Sequence, residues 1–473
     1  MDFEATSVIR QQVGLKTVRR ELSTRVSFTA NNRYGRVMTT TEDNQYERLS
    51  DAVTPLHRKP YERQLKIKKH FMEKALRKAG NIILHRRRAE FDSQMKSWVT
   101  ENNGLICSLD TVRPSPVIYG YRNKVELSVG TSVTGEPNTV GLFVGKGSGA
   151  ICVNPYHILS IREDHKEICK VYQEFIRQTK LPSATGDKFS YNNQWKYISM
   201  RSTVDNEVMV VIQFYPWLDQ PELTEKAKYE LAEFFQHGPG KLLDITSLYF
   251  QACRMRYCSH EKSPYKLIKG DSNIYEKLLG KIFRISPDSF FQTNTRGAEI
   301  LYATVQELSG VNSSTTVLDL CCGTGTIGIV LADEAKSVIG VDIVQQAVDD
   351  AAVNSTINNL QNCSFEQAKV HKELWHILRR CQFTSDDDVI AILNPSRNGV
   401  KSKVVQSIRG CPSIKRLLYV SCKPYGNVLS NFLDLMIPEC EKMGGEAFRL
   451  TRAKAVDMFP HTLHCELLAL FER

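Results

Sequence analysis

The sequence has no apolar run approaching the ~18 residues that a membrane-spanning helix needs. Residues 1–20 lack an apolar core long enough for a secretory leader. No two cysteines stand in C-x-x-C spacing, and only Cys107 precedes residue 152. Cys253 and Cys258 have no second pair near them, which argues against a zinc site. The 13 cysteines, an odd number in a long chain, are expected as reduced thiols rather than as a disulfide framework. Internal repeats and low-complexity tracts are absent too. What remains is an ordinary globular composition, 42% hydrophobic and 24% charged, over 473 residues, enough for two or three domains.

Charge is unevenly placed. Residues 1–100 hold 21 Lys/Arg against 11 Asp/Glu, an excess of ten that equals the net charge of the whole chain. A basic N-terminal region on a neutral body suits a polyanion, although a solvated arm would read the same way. Residues 1–55 are polar and expected as a flexible arm. From 56 to 110 a basic helical segment is expected, with Leu65, Phe71, Leu76, Ile82, Ile83, Phe91 and Trp98 packing inward and cations outward. Residues 111–265 alternate in short runs with Gly-rich turns, which predicts a mainly antiparallel α+β domain with helices near 161–179 and 221–237. From 266 to 473 strand-like and helix-like runs alternate, as in an open parallel sheet with crossover helices. The predicted fold class is therefore α/β: a C-terminal Rossmann-like domain, a central α+β domain and a basic helical N-terminal segment.

"VLDLCCGTGTIGIVLA" (317–332) is a strand, a Gly-rich turn and a helix start. Gly323, Gly325 and Gly328 satisfy G-x-G-x-x-G, so a nicotinamide dinucleotide is one candidate ligand. An acid, Asp319, stands just before the turn, where a pyrophosphate would be repelled. S-adenosylmethionine has no phosphate; its ammonium wants an acid there, and Asp342 at the end of the next strand suits its ribose. S-adenosylmethionine is the expected cofactor.

"LLYVSCKPYGN" (417–427) poses a different question. A buried-looking strand delivers a thiol, Cys422, beside Lys423 and a proline. Taken alone, such a cysteine reads as a small buried hydrophobe. Its company changes that reading. "FFQTN" (290–294), "LDLCCGTGTIG" (318–328), "NPSRNGV" (394–400), "YVSCKP" (419–424) and "VDMFPHTLHCELLALFER" (456–473) follow in order. Together they resemble the tRNA (uracil-5-)-methyltransferase family, its animal A-type branch, over roughly residues 52–473. "YGYRNKVELSVG" and "GKGSGAICVNPYH" look like the central domain of that branch.

The resemblance implies S-adenosylmethionine-dependent C5-methylation of uridine in tRNA, at position 54 of the T loop. It implies Cys422 as the nucleophile that adds to uracil C6 and Glu466 as the base that removes the C5 proton. Lys423 is the cation expected to favour the thiolate. Gln292 would touch the methionine end of the cofactor, Cys321 would line the turn with Gly323 and Gly325, and Asp342 would hold the ribose. His461 and His464 are expected as packing or positioning groups, since two histidines without a third ligand rarely make a metal site.

The chain departs from the family pattern in several places. Asn394-Pro395-Ser396-Arg397 replaces Asp-Pro-Pro-Arg, which puts an amide near the cofactor where an acid is usual. Lys423 replaces Asn, Asp342 replaces a more usual Glu, and "EQAKVHKEL" (366–374) offers no obvious acid for the adenine. Some relatives carry an iron–sulfur cluster on early cysteines; none is expected here. Residues 1–60 are too short for an RNA-recognition domain. Three other readings stand beside this one. An amino-methyltransferase would want an aromatic where Arg397 stands, and a cytosine C5 enzyme a cysteine where Ser396 stands. A tRNA-binding or folding protein with weakened or lost activity is the remaining alternative. The expected partner is tRNA, with no membrane association and a monomer as the default. Nucleus or cytoplasm is the expected location, with the mitochondrion a third option because residues 5–20 are basic and acid-free.

Overall fold

The computed structural model describes residues 39–86, 88–145, 149–179, 181, 194–217, 219–255, 262–441 and 443–473. The acid-free stretch 5–20, most of the polar arm and Cys258 lie outside the described residues. The described end of the arm carries a helix, α1 (Gln45–Val53), where a flexible segment was expected. The basic segment folds as α2 (Tyr61–Asn81), a π-helical turn over 82–86 and α3 (Ser93–Glu101). Asp92 caps α3 by accepting from Met95 N at 2.7 Å. Met72, Leu76 and Ala79, spaced at four and three residues, form the buried stripe of α2 and share one core with the C-terminal sheet. That stripe is not wholly apolar, because Gln64 and Lys68 are buried on the same helix.

The central sheet contains β1 (Lys124–Gly130), β2 (Thr139–Val144), β3 (Ile151–Val153), β4 (Trp195–Ser202), β5 (Val208–Phe214), β6 (Ser247–Ala252) and β7 (Lys266–Gly270). Their order is β3-β2-β1-β4-β5-β6-β7. All pairings are antiparallel except β5 with β6. Helices α4 (Glu163–Gln178) and α5 (Pro221–Gln236) cover this sheet, and α5 supplies the crossover that the parallel pair requires. Because β7 belongs here, the boundary expected at residue 265 falls one strand later. The hairpin β8 (Ile274–Leu278) and β9 (Lys281–Ile285) leads to α6 (Thr295–Ser309), whose N-cap Asn294 accepts from Gly297 N at 2.8 Å.

The second sheet follows as β10 (Thr315–Leu320), α7 (Thr326–Leu331), β11 (Ser337–Asp342), α8 (Gln345–Ile357), β12 (Cys363–Gln367), α9 (Val370–Cys381), β13 (Asp388–Leu393), α10 (Ser402–Arg409), β14 (Ile414–Ser421), α11 (Asn427–Met436), β15 (Arg449–Val456) and β16 (Glu466–Glu472). The strand order is β12-β11-β10-β13-β14-β16-β15. Six strands run in one direction and β16, antiparallel to both of its neighbours β14 and β15, runs against them, so the sheet is not parallel throughout as predicted. Eleven described cysteines are free thiols and Cys253 is disulfide-bonded, so the expectation of an all-reduced chain fails at that position.

Candidate active site

Parallel strands bring their carboxyl ends to one edge of a sheet, and the register here fixes what meets there. Leu320 pairs with Val341 on one side and Leu393 on the other, and Leu393 pairs with Tyr419. The loops after β10, β11, β13 and β14 therefore emerge together. The antiparallel β16 begins at the same edge, because Ser421 pairs with Leu467. One further step of that register sets Cys422 opposite Glu466. The two residues lie 44 positions apart in sequence, and the fold makes them neighbours.

The loop after β10 is built to approach a ligand closely. Cys321 turns the chain with a φ of +68°, and Gly323 and Gly325 continue it at +56° and +78°. Cys321 N and Cys322 N both donate to Val341 O, at 2.8 and 3.1 Å. A Cβ at Gly323 would meet nothing within 4 Å, so that part of the loop faces open space. Asp342 shapes the same cradle: its Oδ2 accepts from Gly323 N at 3.0 Å and its Oδ1 from Val344 N at 2.9 Å. Cys321 is a lining thiol held protonated, pushed up to about 12 by burial and by the nearby Asp342 and Asp319 charges.

Asp319 is fully buried. Its Oδ2 accepts from Gly328 N at 2.9 Å, while Oδ1 has no partner among the described residues. Burial pushes the carboxyl up to about 7, opposed by the Gly328 amide and reinforced by the Asp342 charge. A buried carboxylate oxygen without a partner suits a cationic group and disfavours a pyrophosphate. The methionine ammonium of S-adenosylmethionine meets that requirement, so the residues present fit the cofactor.

Gln292 is buried, and its main-chain carbonyl accepts from Asn123 Nδ2 at 2.9 Å. Its side chain reaches the Tyr302 hydroxyl, which also meets Thr326 and feels the charges of Asp319 and Glu466. Tyr302 thus links the cofactor cradle to the Cys422 side. It was not singled out in the sequence, where it reads as one more apolar position of α6. Asn394 is half-buried just past β13, at the same edge.

Arg397 is the second residue that the sequence did not mark as functional. Cys422 is half-buried, and its thiol is pushed up to about 11 by burial and by Glu466, while the Arg397 guanidinium, within hydrogen-bonding reach, pulls it down. Burial pushes Glu466 up to about 7, again against the Arg397 cation. The cation beside the thiol is therefore Arg397 rather than Lys423. Lys423 is exposed, and its charge is felt instead at His464, which burial and the Arg397, Lys68, Arg122 and Lys423 cations hold down at about 4. His461 is buried and held by Gln64. Among the described residues no group of three or more His, Cys, Asp or Glu is placed to hold a metal ion, and no helix is long and apolar enough to cross a membrane.

Residues 311–409 match a family model described as "Methyltransferase domain". The chain is 40% identical over 431 residues to tRNA (uracil-5-)-methyltransferase homolog B of Homo sapiens, covering 90% of this chain and 84% of that protein. The chain belongs to the tRNA (uracil-5-)-methyltransferase family. Homolog A of Homo sapiens is also 40% identical, over 90% of this chain and 68% of that protein, so the similarity reaches both animal branches. The fold agrees with the Pyrococcus abyssi tRNA (uracil-54, C5)-methyltransferase solved with S-adenosyl-L-homocysteine. That match has a TM-score of 0.61 and 24% identity, and covers 88% of this chain and 84% of that one. As a member of the tRNA (uracil-5-)-methyltransferase family, the chain is an S-adenosylmethionine-dependent methyltransferase.

Proposed function

We propose that the protein methylates C5 of a uridine in tRNA, the T-loop uridine at position 54, with Cys422 as nucleophile and Glu466 as base. The observation that supports this reading is the register of β14 against β16: its last pair, Ser421 with Leu467, brings the next residue, Cys422, to where it feels the Glu466 charge. The cofactor supplies an electrophilic methyl group on a sulfonium. Uracil C5 is too poor a nucleophile to take that methyl unaided. Addition of the Cys422 thiolate at C6 shifts the ring electrons to C5 and O4, and C5 then accepts the methyl. Glu466 takes the C5 proton, the C5–H electron pair restores the C5=C6 bond, and the C6–S bond breaks to return the thiolate. A carboxyl near 7 is suited to that step, since it is both substantially ionised at neutral pH and more basic than an exposed acid. Arg397 stabilises the thiolate that forms at the start and returns at the end. The target base must leave its stack to reach the strand tip.

The test is incubation of the purified protein with S-adenosylmethionine and an unmodified elongator tRNA transcript, followed by nucleoside mass spectrometry and mapping of the modified position. 5-Methyluridine at position 54 that vanishes in Cys422→Ala supports the reading. Tight tRNA binding without any 5-methyluridine sinks it.

A further inference from the structure

Three side chains on one face of α2 reach into the loop that delivers Glu466. Tyr61, Gln64 and Lys68 are spaced by three and four residues, which lines them up along a single helical stripe. Lys68 and Asp457 are both fully buried, and Lys68 Nζ lies 2.5 Å from Asp457 Oδ1. The same ammonium donates to Phe459 O at 2.8 Å. The Tyr61 hydroxyl donates to Asp457 Oδ2 at 3.0 Å and accepts from Ser115 N at 2.8 Å. Gln64 grips His461 twice: its Oε1 accepts from the backbone N at 2.7 Å, and its Nε2 meets Nδ1 at 3.1 Å. His461 sits at a φ of +66°, a left-handed conformation that a non-glycine residue holds only when its surroundings enforce it. The same helix meets the loop after Cys422, where the Tyr425 hydroxyl donates to Phe71 O at 2.5 Å. One helix therefore touches both loops that carry the reacting groups.

A buried ion pair is a poor device for stability alone, because apolar residues of similar volume would pack as well. Burial pulls the Lys68 ammonium down and the Asp457 carboxylate opposes it, so the cation depends on its acceptors staying in place. We propose that Lys68 is a positioning residue for proton abstraction: its pair with Asp457 and its bond to Phe459 O fix the 457–465 loop so that Glu466 faces the C5 hydrogen. This inference rests on the reaction proposed above. Once the methyl has been transferred, C5 carries both methyl and hydrogen while C6 is bonded to Cys422 Sγ. Only the last step, in which Glu466 takes the proton and the C6–S bond breaks, needs this loop in register. A loosened loop stalls the covalent adduct, whereas general damage to the fold lowers every step.

The experiment uses the full chain carrying Lys68→Met together with Asp457→Leu, which leaves no lone buried charge, and Gln64→Leu as a second variant with no change of charge. Expected for the folded double variant are KM values for tRNA and S-adenosylmethionine near those of the unaltered protein and a kcat lowered by about tenfold or more. A denaturation-resistant protein–RNA adduct should accumulate at Cys422 with the methyl already on the base, and amide exchange should quicken across 457–465. Gln64→Leu is expected to show the same adduct at a lower level, and it decides the matter if the double variant does not fold. Turnover at the unaltered rate, or a lowered rate without adduct, overturns the inference. If the unaltered protein itself makes no 5-methyluridine, the reaction fails and the inference falls with it, so the two failures are told apart by which sample fails.

Discussion

At the scale of single residues, the site is governed by two carboxyls that burial holds near neutrality. Burial keeps the proton on Asp319 up to about 7, the single Gly328 amide bond opposing it and the Asp342 charge adding to it. Pairing with a cofactor ammonium requires the ionised form, and an α-amino group ordinarily titrates at ~8. S-adenosylmethionine should therefore bind most tightly between about pH 7 and 8 and weaken by up to ~10-fold for each pH unit below 7. Calorimetric titration from pH 5.5 to 8 measures this, and an affinity flat across that range would contradict it. Asp319→Asn should cost about 1.5–3 kcal/mol of cofactor binding with little change at Cys422. Both carboxyls were legible as residues, Asp319 from its place before the Gly-rich turn and Glu466 from its motif. Their elevated pKa values were not, because these come from neighbours distant in sequence. Arg397 was read only as a missing aromatic, since no spacing reveals that a loop after β13 folds its guanidinium onto the tip of β14.

At the scale of elements, sequence patterns found what is buried on both sides and missed what is not. β10 and β14 are apolar runs in the interior of the sheet and read directly as strands. β12 and β15 are its edges. "CSFEQ" and "RLTRAKAV" carry too many polar side chains to signal strand by hydrophobicity alone. The antiparallel turn of β16 was hidden for a related reason, since a strand buried on both faces looks the same in either direction. The basic helix shows the opposite error. Its apolar stripe was legible, but periodicity assigned Lys68 to solvent when its partner lay 389 residues away. Because Leu76 of α2 is fully buried in the core beneath the parallel sheet, Leu76→Ala should destabilise the catalytic domain itself by about 2–5 kcal/mol. Denaturant unfolding followed by the loss of S-adenosylmethionine binding checks this. A loss confined to an independently melting N-terminal segment would show that α2 is an appendage.

For the whole molecule, the same helix joins charge to chemistry. The entire net charge of the chain resides in its first 100 residues. Within them, α2 turns Gln64 and Lys68 toward the 457–465 loop and leaves Arg63, Lys66, Lys74 and Lys78 exposed. Of the cations on α2, Lys69 is the one whose salt bridge is to a residue of the same helix, Glu73, and it is screened accordingly. A polyanion drawn to the exposed cations of α2 would thus meet the helix whose other side chains hold the loops of Cys422 and Glu466. If these cations neutralise RNA phosphates, tRNA affinity must fall steeply with salt, each contact adding roughly 0.7–0.9 to the slope of log affinity against log salt. The triple variant Lys66→Glu, Lys74→Glu, Lys78→Glu should weaken tRNA binding at low salt and flatten that slope by about 2–3. Its kcat at saturating tRNA should stay unchanged, because the three exposed side chains are not among those of α2 that bond the loops of Cys422 and Glu466. Binding isotherms at several salt concentrations, paired with saturating kinetics, separate the two effects. A salt slope that does not move would place the RNA on another face and leave α2 with its inner role alone.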